Sequence, residues 1–418
     1  MHQHSPALDL AEALSHITAK ISSVGHVESV DLAQAQNRVL AKKVSAPIDL
    51  PPFPASAMDG YAVHKSWDSE PEATLKVIGA SLAGHPFDGN IGMGEAVRVF
   101  TGAAVPTGTH RVLLQEQTDL ATEDQVSFVP HNPAETFVRP VGHDLRAGEL
   151  LLPAATILSP FHLGMLASNG IHQVEVTTKP KVGVFSTGDE LVDPGVPPHE
   201  LKPGQIYDSN RFTVLQLLAN LPLDLVNLGR LPDQEDAVFD AINNASQTCD
   251  ALITSGGVSV GDADFVTKVL NSMGELEFWK LNLKPGKPMA YATLPKNLHN
   301  KCHVFGLPGN PVSTIVTLLM VARPALMALA GAVPVAPQRY AAYLQSNLSH
   351  QVGRAEFQRG HVSTDKAGLF TVSHTGDQSS NRLSSFAVAN CLIEIDKDSG
   401  DIPAGNQVNI IPFYGLVG

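Results

Sequence analysis

The sequence predicts a multidomain chain of class α/β plus β, made of a doubly wound α/β domain, a β-rich inserted domain, a helical linker domain and a carboxyl-terminal β-barrel. Three observations carry that expectation. Apolar runs alternate with helix-length segments from Lys181 to Leu329. Short alternating strands separated by Pro- and Gly-rich turns fill the stretch from Pro51 to Pro140, and a second series of strand-like pieces follows the Pro-rich segment Val333 to Pro337. At 418 residues the chain is too long for one ordinary core. The expected division is 1–48 with 140–178 as the helical linker domain, 49–139 as the β-rich insert, 179–332 as the α/β domain and 333–418 as the barrel.

Taken in order, Leu10, Leu14, Ile17 and Ile21 recur at helical spacing behind Ser5-Pro6, which reads as a cap followed by a first-turn proline, and Asp31 opens a second helical stretch to Val44. Within the insert, Thr74 to Ile78, Ala96 to Phe100, Val112 to Gln115 and Val126 to Val129 alternate as strands do. Ser159-Pro160 starts a helix that runs through Ser168 and ends at Gly170, and Val174 to Thr177 leads onward as a strand. Four apolar runs follow: Lys181 to Thr187, Leu223 to Leu228, Ala251 to Thr254 and His303 to Leu307. Helix-length segments Asn210 to Leu221, Asp233 to Ser246, Asp264 to Met273 and Val312 to Leu329 lie between or after them. Tyr340 to Leu344, Leu369 to Ser373, Leu392 to Ile395 and Val408 to Ile411 are the barrel strands, and Ser385 to Val388 also reads as strand-like.

Composition narrows the class. With 28 Lys and Arg against 41 Asp and Glu the formal charge is −13, and no basic cluster stands out, which argues against nucleic acid or an anionic membrane as a partner. No apolar run reads as a bilayer span, and the opening MHQHSPALDLAEAL lacks the basic-then-apolar order of a signal peptide, so a soluble cytoplasmic protein is expected. Cys249, Cys302 and Cys391 are odd in number and sit beside strand-like runs, as buried free thiols do. The 17 histidines show no zinc-site spacing.

The chemistry gathers at the carboxyl ends of the apolar runs, where open α/β sheets bind ligands. Gly188-Asp189-Glu190 follows the first run, Ser255-Gly256-Gly257 the third and Pro308-Gly309-Asn310-Pro311 the last. In DALITSGGVSVGDADFVTKV the paired glycines let backbone N–H groups approach an oxyanion, and the helix that follows offers its positive end. Asp262 and Asp264 add negative charge where an anion should bind, a conflict that a hard divalent cation such as Mg²⁺ resolves; equally, Asp262 could cap the helix. Lys284 and Lys287 on the stiff Lys284-Pro-Gly-Lys287-Pro288 loop suit an oxyanion, although surface lysines are usually just solvated. In the insert, Asp59-Gly60 reads as a hairpin turn. Thr101 to Gly108 reads as a long turn with Thr101 as a candidate ligand hydroxyl. The Pro- and Gly-rich excursion between Asp189 and Asp208 is long enough to cover a substrate.

Seven of these segments occur together: SAMDGYAV at Ser56 to Val63, TGAAVPTG at Thr101 to Gly108, FSTGDEL at Phe185 to Leu191, GQIYDSN at Gly204 to Asn210, SGGVSVGDAD at Ser255 to Asp264, KPGKP at Lys284 to Pro288 and GLPGNPVS at Gly306 to Ser313. Their order and spacing resemble the molybdopterin molybdenumtransferases of the MoeA type over nearly the whole chain. That family shares its enzymatic domain with the carboxyl-terminal part of gephyrin. The resemblance implies a molybdopterin-binding α/β domain and a homodimer with composite sites, in which Asp59 and Thr101 of one subunit meet Glu190 and Asp264 of the other. It also implies a reaction that takes adenylyl-molybdopterin and molybdate, inserts molybdenum into the pterin and releases AMP with Mg²⁺; the molybdopterin adenylyltransferase would be a partner.

Carried over by motif, Asp59, Thr101, Glu190, Asp264, Lys280 and Lys284 are the expected catalytic residues, with Asp59, Glu190 and Asp264 as metal ligands. Asp144, Asp233, Ser255, Gly256, Gly257, Lys287, Pro308, Pro311 and Ser380 are the expected substrate-binding ones. His143 stands where an acid is common and Ser379 where glycine is usual. The competing readings are a non-catalytic scaffold of the same fold, and a molybdopterin adenylyltransferase that makes the adenylylated pterin.

Overall fold

A six-stranded mixed sheet forms the largest core, as the alternation of apolar runs and helices requires. Its strands are β1 (Lys181–Thr187), β2 (Asp224–Leu231), β3 (Ala251–Ser255), β4 (Glu275–Lys280), β5 (Pro288–Pro295) and β6 (Lys301–Leu307), in the order β2-β1-β3-β6-β5-β4. β1, β2, β3 and β6 run parallel, and β5 and β4 extend the sheet antiparallel. The structure is a computed structural model that describes residues 7–69, 73–129, 135–257, 265–296, 300–414 and 416, without the side chains of 278 and 279.

The inner strands β1, β3 and β6 bury both faces, which is why their runs read as continuous rather than alternating, whereas the edge strand β2 is only partly buried. Val182, Val184, Ala251, Ile253, Phe305 and Leu307 pack on one side with Val214 and Leu218 of helix α1 (Ser209–Leu218). Phe185, Leu252 and Val304 pack on the other with Val238 and Ile242 of α2 (Glu235–Thr248) and Val266 and Leu270 of α3 (Phe265–Met273). The sheet reverses direction of winding between β1 and β3, so the crevice at their carboxyl ends is a topological switch point. The helix after β6, Pro311–Leu329, carries a π turn at Leu318–Ala322 just before Pro324, whose missing N–H forces a break in the regular ladder. Contrary to the sequence expectation, this 19-residue helix is long and apolar enough to cross a membrane; 83% of its most apolar window is buried inside the protein, so it serves as a core helix.

The chain divides into two compact units, one formed by 1–42, 155–159 and 173–418 and the other by 43–154 and 160–172. In the first, helix Leu10–Lys20 is capped by Asp9, whose N–H donates to Glu12 at 2.9 Å. The expected cap, Ser5-Pro6, lies outside the described residues. The helix expected from Asp31 to Val44 is absent. Val27–Asp31 instead pairs antiparallel with Gln173–Thr177, Leu32–Gln34 makes one short turn, and Asn37 takes a φ of +60° that ends any helix. Val39 and Leu40 then bury themselves as extended residues bridged to Ile157 and Val176.

A closed barrel follows, in which Ala355–Thr364, Phe370–His374, Tyr340–Leu344, Gln407–Pro412 and Cys391–Ile395 pair in that cyclic order. Ser385 to Val388, expected as strand-like, falls mainly within the 3₁₀ turn Leu383–Ala387, because the Ser385 hydroxyl donates to the Arg382 carbonyl at 2.6 Å. All three cysteines are free and buried, and burial pushes the Cys391 thiol up to about 12.

The second unit holds a six-stranded sheet in the order Arg111–Leu114, Gly60–Val63, Glu95–Val99, Leu75–Ser81, Gln125–Phe128 and Thr118–Ala121. Its core sets Tyr61 and Trp67 edge-on against Phe128. Helix Pro160–Ser168 ends as expected at Gly170, with a φ of +72° and the Ile171 N–H returning to the Leu166 carbonyl.

Candidate active site

At the carboxyl edge of the sheet lies a cavity of about 750 Å³. Thr187, Gly188 and Glu190 line it after β1, Ser255, Gly256 and Gly257 after β3, and Pro308 to Pro311 after β6. Asp233 after β2 and Pro288 at the start of β5 complete it, so four parallel strands and one antiparallel neighbour each contribute. Of the expected site residues the structure thus gathers Glu190, Asp233, Ser255, Gly256, Gly257, Pro308 and Pro311.

The glycines are required by geometry. Gly256 and Gly257 have φ of +91° and +67°, and the Gly256 N–H donates to the Leu307 carbonyl at 3.1 Å. A Cβ on Gly256 would stand 3.0 Å from the Thr187 carbonyl oxygen, and one on Gly257 would stand 2.6 Å from Val266 Cγ2. The turn therefore lies close against β1 and α3 and presents bare backbone to the cavity.

Carboxylates converge on the same rim. Burial first, then the charges of Asp189 and Glu190, hold the Asp233 carboxyl above its ordinary range. The Asp233 N–H also donates to Asp189 Oδ1 at 3.3 Å, which ties the start of the β2–α2 connection to the turn after β1. Asp264, expected beside them, lies outside the described residues.

Two cavity residues escaped the sequence reading, although the GQIYDSN motif that contains them was in view. Asp208 is buried and accepts from Ser186 Oγ at 2.5 Å and Arg211 Nε at 2.8 Å. Asn210 Nδ2 donates to the Gly309 carbonyl at 2.7 Å and so clamps the Pro308–Pro311 turn. The excursion from Asp189 to Asp208 folds back on itself through parallel pairing of Leu191–Val192 with Ile206–Tyr207, and Arg211 also pairs with Asp193.

The expected lysines are placed differently. Among the described residues that line the cavity, Lys280, Lys284 and Lys287 are missing. The Lys280 and Lys287 carbonyls accept from Leu8 and Leu281 at 2.9 and 2.8 Å. Lys284 pairs with Glu356 of the barrel at 3.1 Å. Ser380 contributes its carbonyl, which accepts the Val312 N–H at 3.0 Å, and the next residue, Asn381, lines the cavity. The loop carrying Ser380 is held from below by Arg359. That guanidinium is fully buried and donates to the carbonyls of Gln378 and Ser379 and to Ser385 Oγ at 3.1, 3.1 and 2.9 Å. Ser379, at a position where the resemblance anticipates glycine, donates its N–H and hydroxyl to Asp377 at 2.9 and 2.6 Å.

The second unit has a cluster of its own. Asp59 Oδ1 accepts from the Thr101 N–H at 2.7 Å and from its hydroxyl at 2.8 Å; these bonds, the backbone one first, hold the carboxyl below its ordinary range. Asp59-Gly60 is not the expected hairpin turn: Ala55–Ser56 pairs with Val138–Arg139, while Gly60–Val63 pairs with Glu95–Val99 and Arg111–Leu114. Glycine is needed at 60 because a Cβ would fall 2.0 Å from the Leu113 carbonyl oxygen. Ser56 N–H to Ala103 O and Gly102 N–H to Ser56 O, at 2.9 and 2.8 Å, zip the two motifs of this unit together. Asp144 is exposed on a turn whose N–H bonds the Leu50 carbonyl at 2.9 Å.

Comparison with known proteins assigns each part. The MoeA N-terminal region (domains I and II) matches residues 8–170, a probable molybdopterin-binding domain matches 183–328, and the MoeA C-terminal region (domain IV) matches 341–413. The chain is 40% identical to the molybdopterin molybdenumtransferase of Haemophilus influenzae, over 98% of this chain and 100% of that one. It is 32% identical to the Nostoc protein of the same name, over 98% and 95%. The solved structure of the molybdopterin biosynthesis protein MoeA from Pyrococcus horikoshii OT3 superposes with a TM-score of 0.82 at 28% identity, covering 97% of this chain and 100% of that one.

Proposed function

Because the chain belongs to the molybdopterin molybdenumtransferase family, we propose that it inserts molybdenum from molybdate into adenylyl-molybdopterin and releases AMP. It is a transferase of molybdenum cofactor biosynthesis. The observation that carries the finer reading is the cavity at the switch point, where the bare backbone of Gly256 and Gly257 and the carboxylates of Glu190 and Asp233 share one rim. The Gly256 N–H is taken by the Leu307 carbonyl, so the Gly257 N–H is the one that would donate to the pyrophosphate of an adenylylated substrate, and a cavity of about 750 Å³ admits a pterin.

Mg²⁺ would suit Glu190 and Asp233 as a pair that leaves room for substrate oxygens, since among the described residues no group of three His, Cys, Asp or Glu side chains converges to hold a metal by itself. Asp233 is held above its ordinary range partly by Asp189 and Glu190, a like-charge strain that a hard cation relieves. Mg²⁺ typically takes one or two carboxylates plus substrate oxygens rather than an all-protein cage. Glu190 and Asp233 would hold it here, with the expected ligands Asp264, outside the described residues, and Asp59, in the other unit. When bound, the ion would neutralise phosphate charge on the departing AMP. The protein's own residues do the rest. Asn210 fixes the Pro308–Pro311 turn and Arg359 fixes the Ser380 loop; Lys284 and Lys287 are not among the cavity's lining residues and would have to reach molybdate or phosphate oxygens from the loop that leads to Pro288.

We further propose a soluble cytoplasmic homodimer in which Asp59 and Thr101 of one subunit serve the Glu190 cavity of the other, with the molybdopterin adenylyltransferase as supplier of substrate. Support comes from the Asp59–Thr101 cluster, built as carefully as the cavity yet located in the other compact unit. The purified protein, mixed with adenylyl-molybdopterin, Mg²⁺ and molybdate, should release AMP only when molybdate is present. Adenylylation of free molybdopterin from ATP would assign the adenylyltransferase reaction instead, and neither reaction would leave the scaffold. Mixing exchangeable Asp59→Ala and Glu190→Ala subunits should restore part of the activity; no recovery would refute the shared site.

A further inference from the structure

Lys284 has a partner that no motif announces. Leu283–Lys284 pairs in parallel with Ala355–Glu356, in a register that sets Lys284 beside Glu356. The Lys284 ammonium lies 3.1 Å from one carboxylate oxygen of Glu356 and 3.2 Å from the other. Exposure is lopsided: the Glu356 side chain is 2% exposed and that of Lys284 41%. On the inner side, His350 Nδ1 lies 2.8 Å from Glu356 Oε2, and a carboxylate can only accept, so the imidazole donates there. His350 is itself buried, and among the described residues its Nε2 has no hydrogen-bond partner, so the ring has Glu356 as its single side-chain polar contact. Asp401 fixes the imidazole's backbone by accepting the His350 N–H at 2.8 Å.

A carboxylate taken out of water needs compensation from every side, and the Lys284 ammonium and the buried His350 imidazole supply it here. The arrangement makes sense if its product is the position of the ammonium. A lysine on a flexible stem loses much of its rotamer freedom only when something rigid holds its tip. Glu356 sits in the wall of a closed barrel and cannot follow the lysine about. The loop is pinned nearby as well: the Ala355 N–H donates to the Asn282 carbonyl at 3.0 Å and the Asn282 N–H to Leu8 at 2.9 Å. Four residues after Lys284, Pro288 lines the cavity.

We propose that Glu356, oriented by His350, is a positioning residue that holds the Lys284 ammonium in place for the oxyanion of the substrate, so that the barrel sets the geometry of a residue serving the α/β crevice. The proposal rests on the reading of Lys284 as an oxyanion ligand. Two measurements separate failure of that reading from failure of the clamp. In the first, competitive acylation of lysines by trace acetic anhydride, read by mass spectrometry on the full-length protein, needs no activity. Lys284 should be labelled several-fold more slowly than Lys287 in wild type, and Glu356→Gln and His350→Phe should each raise its labelling toward that of Lys287. Unchanged labelling in a folded Glu356→Gln protein would overturn the clamp whatever the enzyme does.

The second is a double-mutant cycle on kcat/KM for molybdate-dependent AMP release. Glu356→Gln should reduce it roughly 10-fold or more in wild type, with most of the loss in KM for molybdate or pterin, and should have no further effect in a Lys284→Ala background. Glu356→Asp should recover part of the loss. Multiplying losses in the double variant, or a Glu356→Gln enzyme with unaltered kinetics, would show that Glu356 is only structural and overturn the positioning role. A wild type that releases no AMP while labelling follows the expected pattern would refute the functional reading of Lys284 and with it the role proposed for Glu356, leaving only a structural clamp.

Discussion

Alanine at Gly257 should be felt twice, once in the backbone and once in α3, and the two parts can be separated. At a φ of +67° the residue sits in the left-handed region, where a non-glycine residue costs roughly 1 kcal/mol. Its new methyl would lie 2.6 Å from Val266 Cγ2 and 3.0 Å from Thr187 Oγ1. The first contact is about 1 Å inside the ordinary carbon–carbon distance, and overpacking of this kind costs roughly 1–3 kcal/mol. The sum is about 2–4 kcal/mol. Val266 is buried, and trimming it to alanine alone should cost roughly 2 kcal/mol for the two lost methyl groups and the space they leave. Because that trimming removes the obstructing Cγ2, the double variant Gly257→Ala/Val266→Ala should be less damaged than the sum of the singles by about 1–3 kcal/mol.

Hydrogen exchange on peptides spanning β3 and α3 is the appropriate assay. A chain of two compact units does not promise a single unfolding transition, whereas exchange reports local stability. Strict additivity of the two substitutions, or unchanged protection in Gly257→Ala, would refute the argument that close packing against α3 dictates the glycine.

Other consequences are as direct. Asp59→Ala should lower kcat/KM by roughly 100-fold or more while shifting the melting temperature little, because the carboxylate is solvent-accessible and the Thr101 donors it releases can turn to water. Asp233 binds its proton more tightly in the folded than in the unfolded chain, so the stability it contributes is complete below its ordinary value of 3.8 and is lost as pH rises through the raised folded value. Asp233→Asn should therefore melt higher than wild type at neutral pH without Mg²⁺, yet require more Mg²⁺ for half-maximal rate; a variant that melts lower would contradict this. His303 donates or accepts across 2.8 Å to the Tyr291 hydroxyl inside the sheet, and burial pushes its pKa from 6.5 down to about 4. The stability it contributes is complete above pH 6.5 and is lost as pH falls toward 4, by about 3 kcal/mol. His303→Gln should flatten the melting curve across that window.

What could be read in advance follows a physical line. The inner strands β1, β3 and β6 of the α/β sheet are legible because both of their faces are buried, and β1 is located to the residue. The antiparallel extension by β4 and β5 is not, since Glu275 and Glu277 interrupt the first and two prolines bound the second. Ala355–Thr364, the longest barrel strand, was missed for a sharper reason: Glu356, Gln358 and Arg359 are charged or polar and yet buried, so hydrophobicity points the wrong way. The stretch from Asp31 to Val44 was read as helix from spacing alone, and tertiary pairing of Val39 and Leu40 overrode it. In the site, glycine pairs and loop positions were legible because topology puts strand ends together. The partner of Lys284 was not, because it lies 72 residues away on a strand that had not been recognised.

The residues that defeated the sequence reading are related to one another. Asp208, Glu356 and Arg359 are among the buried charges of the first compact unit, as is Arg211, the partner of Asp208, and each of the three holds a loop. Asp208 secures Arg211 and the end of the excursion, Glu356 secures Lys284, and Arg359 secures the turn from Asp377 to Ser380. A buried charge is weak evidence for stability, because desolvation offsets most of what pairing gains, and an apolar side chain of similar size often does as well. Its advantage is directional: a paired or multiply bonded charge has one low-energy geometry, whereas an apolar contact has several. Three such charges, each tying down a loop, therefore argue that this part of the fold favours fixed loop positions over maximal stability. The same reasoning explains why the apolar helix Pro311–Leu329 stands beside them: with 83% of its most apolar window buried, it supplies the hydrophobic stabilisation that the three charged sites do not.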